Sequence, residues 1–156
     1  MLPRDKMSRL QEIDRGTGAH ARLTALFDEG SFVETEAMLD AGVVTGYGTV
    51  EGCPCFAYAQ KDGVFSSASA ERVRRLYALA QKNGAPVAAI FDSPGAKLTE
   101  GVELLSAYGV LLHAANSLSG VIPQIAVVTG ACLGTSALLA AASDFVIAAK
   151  DAELYL

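Results

Sequence analysis

Two short stretches of this chain combine residue types that could do chemistry through the backbone. The first is Asp92-Ser93-Pro94-Gly95-Ala96-Lys97-Leu98-Thr99-Glu100-Gly101, which follows the apolar run Val87–Phe91. The second is Thr129-Gly130-Ala131-Cys132-Leu133-Gly134-Thr135-Ser136-Ala137, which follows the apolar run that starts at Ile125. Each reads as a turn from a buried strand into a helix. A helix start carries unpaired N–H groups and a partial positive charge. Glycine and alanine let a ligand oxygen come close to those groups. On neighbouring parallel strands the two turns would lie side by side at the strand C-terminal ends, where α/β folds bind ligands. They could then aim two N–H groups at one oxygen, which is an oxyanion hole for charge developing on a carbonyl. Small residues after a strand are also the ordinary way to build a tight connection, and either turn alone supports that reading.

Side-chain catalysts are scarce. His20 and His113 both fall on helical positions and read as structural or surface residues. There is no Gly-x-Ser-x-Gly elbow, and Ser66, Ser67 and Ser69 occupy a loop-like stretch with no partner for nucleophilic catalysis. Lys97 and Glu100 are spaced as an ion pair, although Lys97 could instead meet a phosphate or carboxylate. Tyr47 between Gly46 and Gly48 fits a tightly packed strand or a ligand-facing position. Cys53, Cys55 and Cys132 lack metal-site spacing, read as small hydrophobes and suit a reducing, cytoplasmic setting.

The elements that must position the two turns follow from periodicity. The pattern predicts helices over 19–28, 71–83, 100–118 and 133–142, with Arg72, Arg74 and Arg75 off the apolar face of the second. It predicts strands over 42–50 and 54–59 joined at Glu51-Gly52, and further strands over 87–91, 125–129, 145–149 and from 154. From residue 71 strands and helices alternate, which predicts a parallel α/β layer structure. With 156 residues, 51% apolar and 19% charged, the chain can build a real core. A net charge of −5 argues against nucleic-acid binding by bulk charge. No apolar run reaches membrane-spanning length, and the N-terminus lacks the apolar stretch of a signal peptide.

Several segments, in order, resemble the N-terminal part of the carboxyltransferase subunit of biotin-dependent acyl-CoA carboxylases and decarboxylases. Residues 22–34, with Asp28-Glu29-Gly30-Ser31-Phe32-Val33-Glu34, resemble that family's opening helix and D-x-G-S-F-x-E. Val43 to Gly52 resembles its V-V-T-G-x-G-x-x-x-G hairpin, and Asp92 to Gly101 its D-S-G-G-A-R-x-x-E-G. Ser119 to Ile125 is similar to S-G-x-x-P-Q-I, Gly130 to Thr135 to G-P-C-A-G-G, and Asp144-Phe145-Val146 to D-F-x. The resemblance implies a crotonase (ClpP)-like spiral of ββα units. It implies carboxyl transfer between carboxybiotin, carried on a partner, and a CoA thioester, with no covalently bound cofactor and no metal. Carried onto this sequence, the thioester oxygen is held by the backbone N–H groups of Ala96, Gly134 and Thr135. Gly95, Lys97, Ser66 and Ser67 line the substrate. The implied partners are a biotin carboxyl carrier protein or domain, a second carboxyltransferase domain, and further copies in a homo-oligomer.

This sequence departs from the pattern in places. Pro94 stands for a glycine, Lys97 for an arginine and Thr135 for a second glycine. The segment Gln60 to Ala70 is shorter, with Ser66-Ser67 where Gly-Gly would lie. Residues 1–20 are expected to form an N-terminal arm and 21–156 part of a crotonase-like carboxyltransferase domain truncated at its C-terminus. The alternative is a non-catalytic relative that binds acyl-CoA or serves in assembly. Hydration or hydrolysis on the same fold would need a placed acid or base, which the sequence does not offer.

Overall fold

The computed structural model describes residues 18–36, 42–61 and 63–156. Most of the expected N-terminal arm, residues 1–17, lies outside the described residues, and its last residues open helix α1, Gly18–Leu26. The sheet begins with three antiparallel strands, β1 Val33–Thr35, β2 Val43–Val50 and β3 Cys53–Gln60. It continues in parallel with β4 Val87–Ser93, β5 Gln124–Leu133 and β6 Phe145–Ala148. A short β7, Glu153–Tyr155, pairs with the far end of β5. Helices α2 Ser67–Asn83, α3 Val102–Asn116 and α4 Thr135–Ala141 make the crossovers. The first ββα unit is therefore β2-β3-α2.

Alternation along β3 and β4 divides the core in two. Phe56, Tyr58, Val87, Ala89 and Phe91 face α2, α3 and α4, whereas Ala57, Ala59, Ala88 and Ile90 face α1. On the α1 side Phe27 and Phe32 stack at 5.3 Å over β2. A Cβ on Gly48 would come within 2.9 Å of Phe27, and one on Gly46 within 2.5 Å of the Val33 carbonyl. Gly46 and Gly48 are therefore packing residues, and Tyr47 between them is 43% exposed beside Phe56. The β2–β3 turn puts Glu51 at φ 51 and Gly52 at φ 77, a conformation that strains glutamate. The Asp28 carboxylate offsets that strain by accepting from both N–H groups at 2.9 Å and from the Thr49 hydroxyl at 2.6 Å.

The structure corrects several sequence expectations. Helix α2 starts four residues early, at Ser67, because Ser66 caps it and exchanges hydrogen bonds with Ser69 in a capping box. Arg72 is not on the solvent side: it is buried, with Nε on the Thr45 hydroxyl (2.9 Å), one Nη on the Thr35 carbonyl (2.6 Å) and an ion pair to Glu34 (3.3 Å). β1 was not foreseen, since Val33–Thr35 is too short to show a period. β5 runs to Leu133 rather than ending at Thr129. β6 is exposed along its whole length despite its apolar sequence.

Candidate active site

The first turn does not enter a helix directly. Residues 94–101 separate β4 from α3, and within them Ala96 forms an isolated parallel bridge with Phe65. The Phe65 N–H donates to the Gly95 carbonyl (2.8 Å) and the Lys97 N–H donates to the Phe65 carbonyl (3.0 Å). Bridge geometry turns the intervening Ala96 N–H the other way, with no partner among the described residues. Buried Ser93 shapes the approach: its hydroxyl donates to the Gly63 carbonyl at 2.8 Å, and Gly95 at φ 125 reverses the chain. A short 3-10 turn, Leu98–Glu100, and Gly101 then lead into α3. The Ala96 amide is thus aimed by a β-bridge and not by a helix N-terminus.

The second turn is a direct helix entry. Gly134 adopts φ 59, ψ −122, which favours glycine, and is the N-cap of α4. Its own N–H donates to the Tyr155 carbonyl at 3.0 Å. The next N–H, of Thr135, has no partner among the described residues, as expected for the first helical position. Gly95, Ala96, Gly134 and Thr135 line one cleft of about 480 Å³, together with Leu98, Val102, Leu105, Tyr108 and Leu133. A Cβ on Gly95 would stand 4.0 Å from that of Leu133, so the two turns touch.

Buried polar groups lock the turns to each other. The Asp92 N–H donates to Gln60 Oε1 (3.2 Å), and Gln60 Nε2 donates to the Ser136 hydroxyl in α4 (2.8 Å). The Asp92 carboxylate accepts from Arg22 of α1 at 2.6 Å and lies over Gly130, where a Cβ would come within 2.7 Å of its Cγ. Beside it β5 carries extra residues: Phe91 pairs with Val128 but Ser93 with Cys132. Sequence reasoning missed Gln60 and Ser136. Their signal was a polar side chain at the end of the apolar run Phe56–Ala59, and a serine one residue after Thr135.

The remaining predicted residues do not join the cleft lining. Lys97 pairs with Glu100 at 3.2 Å. Ser66 is spent on the α2 cap, and the Ser67 N–H donates to Glu100 Oε2 at 2.7 Å. That bond, ahead of the Ser67 side chain and Lys97, holds the Glu100 carboxyl below its usual range. Ser67 instead borders a separate recess with Glu71 and Glu103.

No lining residue is a neutral-pH base. Burial pushes the Tyr108 hydroxyl up to about 12, and that hydroxyl lies 3.4 Å from the Phe65 carbonyl. The Cys132 thiol, also buried, is pushed up to about 11. His20 lies on the opposite sheet face, edge-on to Phe32 and 4.0 Å from Glu34, and His113 is exposed on α3. Among the described residues no cluster of metal-ligating side chains occurs, and no helix is long and apolar enough to cross a membrane.

A crotonase-like α/β scaffold with paired glycine-containing turns and no side-chain base defines a class, and the comparisons agree with it. The carboxyl transferase domain family matches residues 14–156, and the chain belongs to that family. It is 36% identical over 152 residues to the methylmalonyl-CoA decarboxylase alpha subunit of Veillonella parvula, covering 85% of this chain and 30% of that one. It is 36% identical over 148 residues to the biotin-dependent acetyl-/propionyl-coenzyme A carboxylase beta5 subunit of Mycobacterium tuberculosis, covering 83% and 27%. Among solved structures it superposes on transcarboxylase 12S, a hexamer with hydrolysed methylmalonyl-coenzyme A bound, with a TM-score of 0.80 and 31% identity, covering 97% of this chain and 33% of that one. The chain spans about a third of the length of these relatives.

Proposed function

We propose that this chain supplies the acyl-CoA side of a biotin-dependent carboxyl transfer. The observation that carries the proposal is the pair of unpartnered amides, Ala96 and Thr135, lining one cleft without a neutral-pH base. The thioester carbonyl oxygen accepts from both. When the α-carbon loses its proton, charge moves onto that oxygen, and the fixed N–H groups stabilise the enolate more than the thioester. The enolate carbon then bonds to the carboxyl carbon. Carboxybiotin, carried on a partner, supplies that carboxyl group and afterwards a nitrogen able to take the proton. The residues fit the thioester: two donors sit among apolar side chains in a largely water-excluded site, where such hydrogen bonds strengthen. The absence of a base on this chain matches a reaction in which the base arrives with the carboxyl donor.

Gly134 serves as the hinge of the second turn, its amide held by Tyr155, and donation falls to Thr135. Residues 21–156 act here as one part of a longer crotonase-like domain. A second carboxyltransferase domain, a biotin carrier and further copies of the chain complete the cytoplasmic enzyme. The committed Gly134 amide and the exposed β6 favour one second reading, an acyl-CoA-binding or assembly module without turnover.

Thr135→Pro tests the proposal. Proline is tolerated at the first helical position and removes only an unpaired N–H. Calorimetry with acetyl- and butanoyl-CoA should show binding about three- to tenfold weaker, the loss of one hydrogen bond. Thr135→Ala, which keeps the N–H, should bind within about twofold of the parent. Equal affinity in all three proteins would remove the Thr135 amide from the site, and no binding by the folded parent would remove the whole reading.

A further inference from the structure

Helix α3 is apolar on two faces. Leu104, Tyr108, Leu111 and Ala115 follow helical spacing into the core. A second row, Leu98, Val102 and Leu105, is 84%, 81% and 70% exposed, and all three border the cleft that holds the Ala96 and Thr135 amides. Packing does not require this second row, because the first already buries the helix. The cleft lining carries no lysine, arginine, histidine, aspartate or glutamate. The one cation adjoining Ala96 in sequence, Lys97, is paired with Glu100, which is itself held by the Ser67 N–H.

Resting on the function proposed above, we infer that the second row of α3 is an acyl-chain wall, so that the preferred substrate is a CoA thioester with an unbranched or branched apolar acyl group larger than acetyl, and not one ending in a carboxylate. A thioester whose oxygen is at Ala96 and Thr135 has its acyl chain beside Leu98, Val102, Leu105 and Leu133. Each methylene laid against that wall leaves water. A terminal carboxylate in the same place would lose hydration and meet no cation. The wall therefore sets specificity by attraction for methylenes and by rejection of charge.

The test is a binding ladder on the full chain by calorimetry with acetyl-, butanoyl-, hexanoyl- and succinyl-CoA. Affinity should rise about three- to fourfold per added methylene. Succinyl-CoA, which replaces the butanoyl methyl by a carboxylate, should bind at least about tenfold more weakly than butanoyl-CoA. Leu105→Ser and Val102→Ser, at exposed positions that the fold tolerates, should flatten the ladder. Val110→Ser, on α3 but away from the cleft, should leave it unchanged. Far-ultraviolet circular dichroism confirms that each variant is folded. Esters that bind with equal affinity whatever their chain, or succinyl-CoA binding as well as butanoyl-CoA, would overturn the acyl wall and leave the two-amide site standing. Failure of every ester to bind would overturn both. A change of oligomeric state in Leu105→Ser with an unchanged ladder would reassign the row to a protein contact and sink the inference.

Discussion

The two turns reach the same outcome by different backbone devices. In the first, Ala96 sits in a one-residue bridge to Phe65, and the alternation of a strand turns its N–H toward the cleft. In the second, Thr135 is the first residue of α4, and its N–H is unpaired because every helix leaves its first amides unpaired. The first amide is thus aimed by tertiary pairing with a segment about thirty residues upstream. The second is aimed by local geometry that one glycine, Gly134, nearly determines. A bridged amide depends on everything that holds Phe65, Gly95 and Lys97 in line, whereas a helix-start amide survives wherever the helix does.

The difference can be broken most severely at Gln60, because it is the one side chain that contacts both devices. It accepts from the Asp92 N–H before the first turn and donates to Ser136 inside the second. Gln60→Leu leaves the buried Asp92 amide and the Ser136 hydroxyl without their partner. The expected cost is about 3 kcal/mol of stability, from unsatisfied groups and imperfect refilling. Urea unfolding measures it, and calorimetry should show acyl-CoA binding lost. A variant as stable as the parent would show that the turns are positioned independently.

A smaller effect is expected at Gly130, which lies under the Asp92 carboxylate. Gly130→Ala pushes Asp92 off its bond with Arg22 or shifts β5, at about 1–3 kcal/mol, the usual range for overpacking. The strain falls on the β4 end that feeds the first turn, while the α4 entry beyond Leu133 keeps its bond to Tyr155. Amide exchange should therefore quicken at Lys97 more than at Gly134. Equal change at both would mean that the sheet transmits the strain evenly and the two devices are not separable.

The same contrast explains what could be read from the sequence. The layer structure was legible, since the apolar runs at 87–91 and 125–129 and the helical rows at Leu104, Tyr108 and Leu111 are strong period signals. The second turn was legible at Gly134-Thr135, a local signature. The first was misread as a direct helix entry, because nothing in Ala96-Lys97-Leu98 announces a bridge to Phe65. Likewise Ser66 carried the mark of a helix cap, Ser-x-x-Ser, but the polar run around it resembled a loop. Arg72 was placed in solvent because its partners Glu34, Thr35 and Thr45 come from strands that only the tertiary fold brings over α2. Local rules found what local geometry decides, and the residues missed are those whose partners are distant in sequence.

The mildest and most selective perturbation is acid. The Glu100 carboxylate holds the Ser67 N–H at 2.7 Å and pairs with Lys97 at 3.2 Å, so it ties the far side of the first turn to the start of α2. Hydrogen bonding from Ser67, first from its backbone, lowers the Glu100 pKa below the ordinary 4.5. A group with a depressed folded-state pKa contributes stability that is fully present above its unfolded value and is lost as pH falls through the folded one. The first turn should therefore loosen below about pH 4.5, the ordinary glutamate value. The second has no carboxylate among the bonds that hold Gly134 and Ser136, so it should not respond in that window. In an NMR titration the Ser67 amide proton should move upfield as pH drops below the ordinary glutamate range, while the Gly134 amide, bonded to the Tyr155 carbonyl, stays in place. Glu100→Gln should abolish the Ser67 titration. If both amides move together in the parent, or if Ser67 still titrates in Glu100→Gln, the acid-sensitive tether is not Glu100 and the asymmetry between the turns has another source.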